Sequence, residues 1–307
     1  MSNDSDALRV FLVGATGQVG RAWKSRLAGE QLVAEPTRLE LDLGDPAALT
    51  AQLHDVIETS QPNLIVNAAA YTAVDQAQDD PARAYDINAL APGVIATVAA
   101  SLDIPLIHYS TDYVFDGQGS QPFVETDPAA PLSVYGCSKL AGERAVQAAG
   151  GAHLIFRTSW VFGAHGQNFL KTMLKLAQTK DELRVVNDQV GAPTSAALLA
   201  QMPLALFQQM QGQADPRWGL YHLCPAGYTS WHGYAMYLIA RARAMGWPIR
   251  VRDDAIHGIA SSQFPVKATR PGNSRLCTDK FVQATGLALP DWREGVDEVL
   301  ASLRGTL

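Results

Sequence analysis

The sequence predicts an α/β protein: a doubly wound parallel sheet with a smaller mixed α/β domain beside it. Short apolar runs recur through the first half, LRVFLVG, QLVAE, NLIVNAA, PLIHYST and HLIFRTSW, and segments of helical length separate them. The runs are continuous instead of alternating, as parallel strands buried on both faces require. The pattern loosens after residue 167, and GLYHLCP then reads as one further strand of the same sheet. Residues 1–166 with about 217–240 therefore form the first predicted domain, and about 167–216 with 241–307 the second.

Each element has its own signal. After the first run, GATGQVG turns into a helix along which Trp23, Arg26 and Leu27 continue at helical spacing. A second helix begins near Pro46. Two helical stretches are expected between Asp75 and Ala100, with Pro81 near a start, because the first turn leaves unpaired the N–H that proline lacks. VYGCSK, residues 134–139, opens another helix. FLKTMLKLAQTK is helical, RVVNDQVGAPTS is a strand or loop, and AALLAQMPLALFQQM is an apolar helix interrupted at Pro203. The linker QQMQGQADPR leads to GLYHLCP, and SWHGYAMYLIARARAMG then forms a helix capped by Ser230 and ended near Gly246. Two last helices start near Thr278 and Asp291.

The 307 residues are 47% apolar, enough for a sizeable core, and carry a net charge of -6. A negative surface disfavours nucleic acid or an anionic membrane as the main partner. MSNDSDALRV lacks the basic start and apolar run of a secretory signal, and no segment offers about 18 consecutive apolar residues, so a cytoplasmic location is expected. Cys137, Cys224 and Cys277 lie far apart without CxxC spacing; three free thiols are expected, with neither a disulfide nor a zinc site.

Gly14, Gly17 and Gly20 follow the first strand and open a helix. Glycines there let the chain turn tightly and bring backbone N–H groups against a pyrophosphate. The first domain is therefore Rossmann-type, with Gly14, Thr16, Gly17, Gln18, Val19 and Gly20 as candidate cofactor residues. The second strand ends where an acidic residue favours a ribose 2′-hydroxyl and a basic one a 2′-phosphate. Glu35 and Arg38 offer both signs; Arg38 inclines the reading toward NADPH, with NADH as the alternative cofactor and a solvated loop arginine as the alternative role. Asp42 and Leu43 are candidates for the adenine side, Asp42 equally for capping the helix near Pro46. Ala68, Ala69 and Ala70 are small enough for a cofactor to lie flat across the strand ends, or for a helix to pack closely.

The fourth run delivers Ser110, Thr111 and Tyr113 to the carboxyl edge of the sheet. Tyr135 and Lys139 are one helical turn apart on one face, while Cys137 points elsewhere. A phenol of pKa about 10 is a poor acid at neutral pH until a neighbouring ammonium lowers that value. Lys139 is a candidate for that charge, and Thr111 for a hydrogen bond to the carbonyl that Tyr135 protonates.

GATGQVG, NAAAYTAVDQAQ, STDYVFDG, the YxxxK of VYGCSK, FRTSWVFG, NDQVGAPTS and RPGNSRL occur in the order found in the extended short-chain dehydrogenase/reductases. More narrowly, the chain resembles the dTDP-4-dehydrorhamnose reductase family from Arg9 to about Leu303. The resemblance implies an NAD(P)H-dependent oxidoreductase that reduces the 4-keto group of dTDP-4-dehydro-L-rhamnose, in nucleotide-sugar and cell-surface polysaccharide biosynthesis. It implies that Tyr135 donates the proton, that Lys139 lowers the tyrosine's pKa and holds the nicotinamide ribose, and that Thr111 orients the carbonyl. It also implies sugar contacts from Thr72, Val74, Tyr113 and Trp160, with interdomain packing as the alternative for Trp160. Asn168, Phe169 and the GAPTS loop are implied near the nucleotide. Arg270 and Arg275 are candidate diphosphate cations, or members of surface ion pairs.

In metal-linked dimers of that family, carboxylates sit where this chain has Ala22 and Ala197. No magnesium is therefore expected, and the chain is expected to be a monomer or a metal-independent homodimer whose partner is a small sugar nucleotide. Rival readings are another nucleotide-sugar 4-ketoreductase or epimerase of the superfamily, and a non-enzyme resembling the regulatory subunit of methionine adenosyltransferase. The presence of Thr111, Tyr135 and Lys139 together counts against the last.

Overall fold

The computed structural model describes residues 7–27 and 29–304, so most of the opening MSNDSDALRV lies outside the described residues. The first half runs β1 (Val10–Val13), α1 (Gln18–Arg26), β2 (Leu32–Ala34), α2 (Pro46–Ser60), β3 (Leu64–Asn67), α3 (Val74–Ala77), α4 (Pro81–Tyr85), α5 (Ala91–Ser101), β4 (Leu106–Thr111), α6 (Val134–Ala148) and β5 (His153–Thr158). The second runs β6 (Val161–Phe162), α7 (Phe169–Thr179), β7 (Leu183–Val186), β8 (Val190–Gly191), β9 (Thr194–Ser195), α8 (Ala196–Met210), β10 (Gly219–His222), β11 (Thr229–Ser230), α9 (Trp231–Ala244), β12 (Ile256–Ile259), α10 (Asp279–Thr285) and α11 (Trp292–Arg304).

Six strands form one parallel sheet in the order β10-β5-β4-β3-β1-β2. Every residue of β1, β3 and β4 is buried, which explains their unbroken apolar runs. After β2 the chain crosses β1 to reach β3, so the strand order switches between β1 and β3. Sheets of this kind bind ligands outside the strand carboxyl ends at that crevice. Trp23 of α1, Leu199 and Phe207 of α8, and Phe281 of α10 cover one face; Leu53, Ile95 and Val146, from α2, α5 and α6, cover the other.

The helix expected to break at Pro203 runs unbroken from Ala196 to Met210. Proline at 203 donates no N–H to the carbonyl of Leu199, four residues back. The hydroxyl of Tyr109, from β4, donates to that carbonyl instead and accepts from Trp23 Nε1 at 2.8 Å. A sheet side chain thus supplies the partner that proline withholds. Between Asp75 and Ala100 the two expected stretches resolve into α3, α4 and α5, with a π-turn at Asp86–Leu90 joining the last two.

A second unit gathers α7, α9, α11 and the parallel pair β7–β12 around Leu174, Tyr234, Leu238, Ile239 and Trp292. GLYHLCP does return to the main sheet, as β10 beside β5. Two helices fall on the other side of the division from where the sequence puts them. Helix α8 packs on α1 and the main sheet, whereas α9 packs on α7, β7, β12 and α11. Both helices are apolar enough to belong to either core, so composition does not distinguish them.

Candidate active site

At the end of β1, Gly14 adopts φ +83, and a Cβ there would lie 2.6 Å from the Ala69 nitrogen. A Cβ at Gly20 would collide with the Gly14 carbonyl. These two glycines bring β1, the start of α1 and the end of β3 into contact. Gly17 has open space around it apart from the Gly14 oxygen, and its N–H donates to that oxygen at 3.1 Å. Side chains cap α2, α6, α7, α8 and α9, but none caps α1 and its first turn holds no acidic residue. Its leading N–H groups are free for an anion, which fits a dinucleotide pyrophosphate. Thr16 and Gly17 are exposed at this mouth, with Val19 half-buried behind them. Gln18 is instead committed to the second unit: its Oε1 accepts from Asn168 Nδ2 at 2.8 Å.

At the adenosine end, Glu35 pairs with Lys24 at 2.5 Å, while Arg38 extends into solvent with its Nε 3.8 Å from Asp42. The acidic charge is thus offset and the guanidinium accessible, an arrangement suited to a 2′-phosphate. Asp42 does not cap α2; Asp45 does, accepting from Ala48 N. Asp42 accepts from Gly44 N at 2.9 Å and from Arg83 at 3.4 Å, and the Gly44 N–H holds its carboxyl below the usual range. Arg83 is a second cation here that the sequence reading missed. Leu43 is buried, and Ala68, Ala69 and Ala70 are half-buried beyond β3.

The end of β4 carries Thr111 and the first turns of α6 carry Tyr135 and Lys139; Thr111 and Tyr135 share a hydrogen bond, and Lys139 lies one turn further along α6. Ser133 caps α6 by accepting from Gly136 N at 3.2 Å, and Gly136 sits so close to the Tyr113 carbonyl that any Cβ would collide with it. That approach places the Tyr135 ring 5.4 Å from the Tyr113 ring, edge to face. The Thr111 hydroxyl donates to Asp112 at 3.0 Å and accepts from Tyr113 N at 3.2 Å. Burial pushes the Tyr135 phenol up to about 12, against the downward pull of hydrogen bonding with Thr111. The lowering expected from Lys139 is not seen: the one downward pull comes from Thr111, burial outweighs it, and the Asp112 charge adds to the rise. Lys139 is 2% exposed and its Nζ donates to the Tyr109 carbonyl at 2.5 Å. Burial draws its ammonium down to about 8, with Glu143 opposing.

On the open side, Thr72 is exposed and Val74 half-buried at the start of α3. Trp160 has φ +49, stacks on Trp231 with centroids 3.6 Å apart, and covers Gly191, where a Cβ would come 2.8 Å from the indole. Its other faces are only half-buried, so wall and interdomain packing are compatible roles. Asn168 is spent as the cap of α7 and in its bond to Gln18, and Phe169 packs against Trp231 and Tyr234. In GAPTS, Ala192, Pro193, Thr194 and Ser195 are buried, and Ser195 caps α8. These residues build the second unit and its seam. Arg270 pairs with Asp75 at 2.8 Å beside Tyr113, and Arg275 donates to Asn273 in its own segment at 3.0 Å. Arg270 therefore faces the site, and Arg275 braces its own turn.

The RmlD substrate binding domain model matches residues 8–304. The chain belongs to the dTDP-4-dehydrorhamnose reductase family. A dTDP-4-dehydrorhamnose reductase of Burkholderia thailandensis is 44% identical over 94% of this chain and 97% of its own, and one of Escherichia coli K12 is 43% identical over 96% and 98%. The crystal structure of a dTDP-4-dehydrorhamnose reductase from Bacillus anthracis, in complex with NADP, superposes with a TM-score of 0.86 at 31% identity, over 96% of this chain and 99% of that one.

Within this family framework, several residues at the centre carried no sequence signal. Asp112 stands within STDYVFDG, but nothing in the sequence shows that its carboxyl is buried. Asn88, in the π-turn, is buried and binds both the N–H and carbonyl of Tyr71 and the Ser138 hydroxyl, fixing the loop after β3 to α6. Ala22 is half-buried on α1 and Ala197 exposed on α8. Among the described residues, no group of three or more His, Cys, Asp or Glu side chains is placed to hold a metal ion.

Proposed function

We propose that this protein is an NAD(P)H-dependent reductase that converts dTDP-4-dehydro-L-rhamnose to dTDP-L-rhamnose. The observation that supports the reading is the hydrogen bond between Thr111 and Tyr135 at the carboxyl edge of the sheet, with Lys139 one helical turn further on, in a chain whose residues 8–304 match the family. The nicotinamide cofactor, when bound, supplies the hydride. Gly14, Gly17 and the open N–H groups of α1 hold its pyrophosphate, Arg38 its 2′-phosphate, and Ala68, Ala69 and Ala70 form the floor beneath it. Tyr135 donates a proton to the developing oxyanion at C4. Its high pKa keeps the phenol protonated at neutral pH until a carbonyl is seated. Thr111 hydrogen-bonds the same oxygen, and Lys139 braces the ribose and offsets the charge left on Tyr135. Tyr113, Thr72, Val74 and Trp160 bound the sugar, with Arg270 on the diphosphate side.

Supplying the 4-keto sugar nucleotide with NADPH and NADH in parallel tests reaction, substrate and coenzyme together. Stoichiometric loss of reduced-nicotinamide absorbance is expected, faster with NADPH; an epimerase would return its hydride and show no net loss. Tyr135→Phe should lower kcat by about 10²-fold or more. Unchanged turnover in that variant would remove Tyr135 as the proton donor, and no turnover by the parent would revive the non-enzyme reading. The oligomeric state that fits Ala22 and Ala197 is a monomer or a dimer held without metal.

A further inference from the structure

One charged pair near the catalytic centre has no part in the chemistry just described. Glu143 lies four residues after Lys139 on α6, so the two side chains share a helical face. Arg157 projects from β5 at the register position opposite Ser110, one residue before Thr111. The two meet in a bidentate pair, Nε to Oε1 at 2.9 Å and Nη2 to Oε2 at 2.7 Å, with Arg157 5% and Glu143 2% exposed. The guanidinium stands 5.0 Å over the Phe115 ring, and its Nη1 has no hydrogen-bond partner among the described residues. A buried pair of this kind is a weak stabiliser, since apolar residues of like volume would fill the space at lower desolvation cost. Its charges call for another account.

We propose that Glu143 and Arg157 are a positioning pair that sets the electrostatic potential at Lys139 and Tyr135, and with it the pH range over which the enzyme reduces its substrate. The inference rests on the reading of Tyr135 and Lys139 given above. The other groups facing this helix are the same in every form compared below. From β4 comes His108, whose imidazole burial and Lys139 hold neutral. From the turn after β4 come Tyr113 and Asp112, whose charge raises the Tyr135 phenol, and from β10 His222, whose pKa burial draws down to about 3 so that it is neutral. From the π-turn comes the uncharged Asn88, bonded to Ser138 next to Lys139. The carboxylate of Glu143 opposes the loss of the Lys139 proton, and Arg157 balances that carboxylate against the sheet.

The test is the alkaline limb of the pH profile of kcat/KM for the reduction, measured in four forms of the full chain. Glu143→Gln leaves the arginine charge unbalanced, which favours proton loss from Tyr135 and Lys139 alike; the limb should move down by about one pH unit. Arg157→Met leaves the carboxylate unbalanced and should move it up by about one. The double variant, neutral again, should return to within about 0.3 of the parent. A purely structural pair would not give shifts of opposite sign. Limbs that coincide in all forms, or move the same way in both single variants, overturn the proposal. Circular dichroism establishes folding, and if one single variant does not fold, the other with the double variant still gives the sign. Lys139→Met separates the two readings: parent-like turnover there would refute the role of Lys139 itself, independently of the pair.

Discussion

Asp112 holds a buried carboxyl between the Thr111 hydroxyl and Ser274, and burial pushes its pKa up to about 6 despite those hydrogen bonds. In the unfolded chain the value is about 3.9. Between the two the folded protein binds the proton more tightly, so the stability this group contributes is present below about pH 4 and is lost as pH rises through about 6. Asp112→Asn keeps the shape and removes the charge, so it should raise stability at pH 7 by on the order of 2–3 kcal/mol while changing it little at pH 4. Denaturant unfolding at both pH values measures this, and a variant as pH-dependent as the parent would refute it. Tyr135 and Lys139 were legible because a four-residue spacing has a geometric meaning on any helix. Asp112, Glu143 and Arg157 were not, because a charged letter in a sequence carries no sign of whether water reaches it.

The strand-to-helix turn after β1 is the element on which the proposed cofactor binding depends. Its third glycine is the tightest point, since a methyl group at Gly20 would run into backbone at Gly14 and Ala15 instead of a movable side chain. Gly20→Ala should force α1 away from β1, costing about 1–3 kcal/mol in stability and weakening NADPH binding about tenfold or more. Thermal unfolding and fluorescence titration read the two effects; an alanine variant that binds NADPH as the parent does would overturn the account. Most elements were readable as runs and periods, down to Ser230 capping α9 and Pro81 opening α4. Helix α8 was misread at Pro203 because the hydroxyl that satisfies the freed carbonyl belongs to Tyr109, 90 residues earlier. The π-turn was invisible for the same kind of reason, its Asn88 being tied to Tyr71 across 17 residues.

Over the whole molecule, the main sheet and the second unit meet at a seam in which Gln18 of α1 bonds Asn168, the cap of α7, and Arg270 reaches Asp75 on α3. No helix among the described residues is long and apolar enough to cross a membrane. With alanine at positions 22 and 197, the mass measured by light scattering should be the same with and without EDTA; a dimer that dissociates in EDTA would show a metal bridge built from other residues. The sequence by itself determined the parallel sheet and the glycine turn, which rest on local periodicity and on spacings within a few residues, and the family, which rests on the order of its motifs along the chain. Only the tertiary structure decided which core α8 and α9 join, which of Arg270 and Arg275 faces the site, and which charges lie buried behind Lys139. Those outcomes depend on contacts between distant segments and on the exclusion of water, and both arise only when the chain has closed on itself.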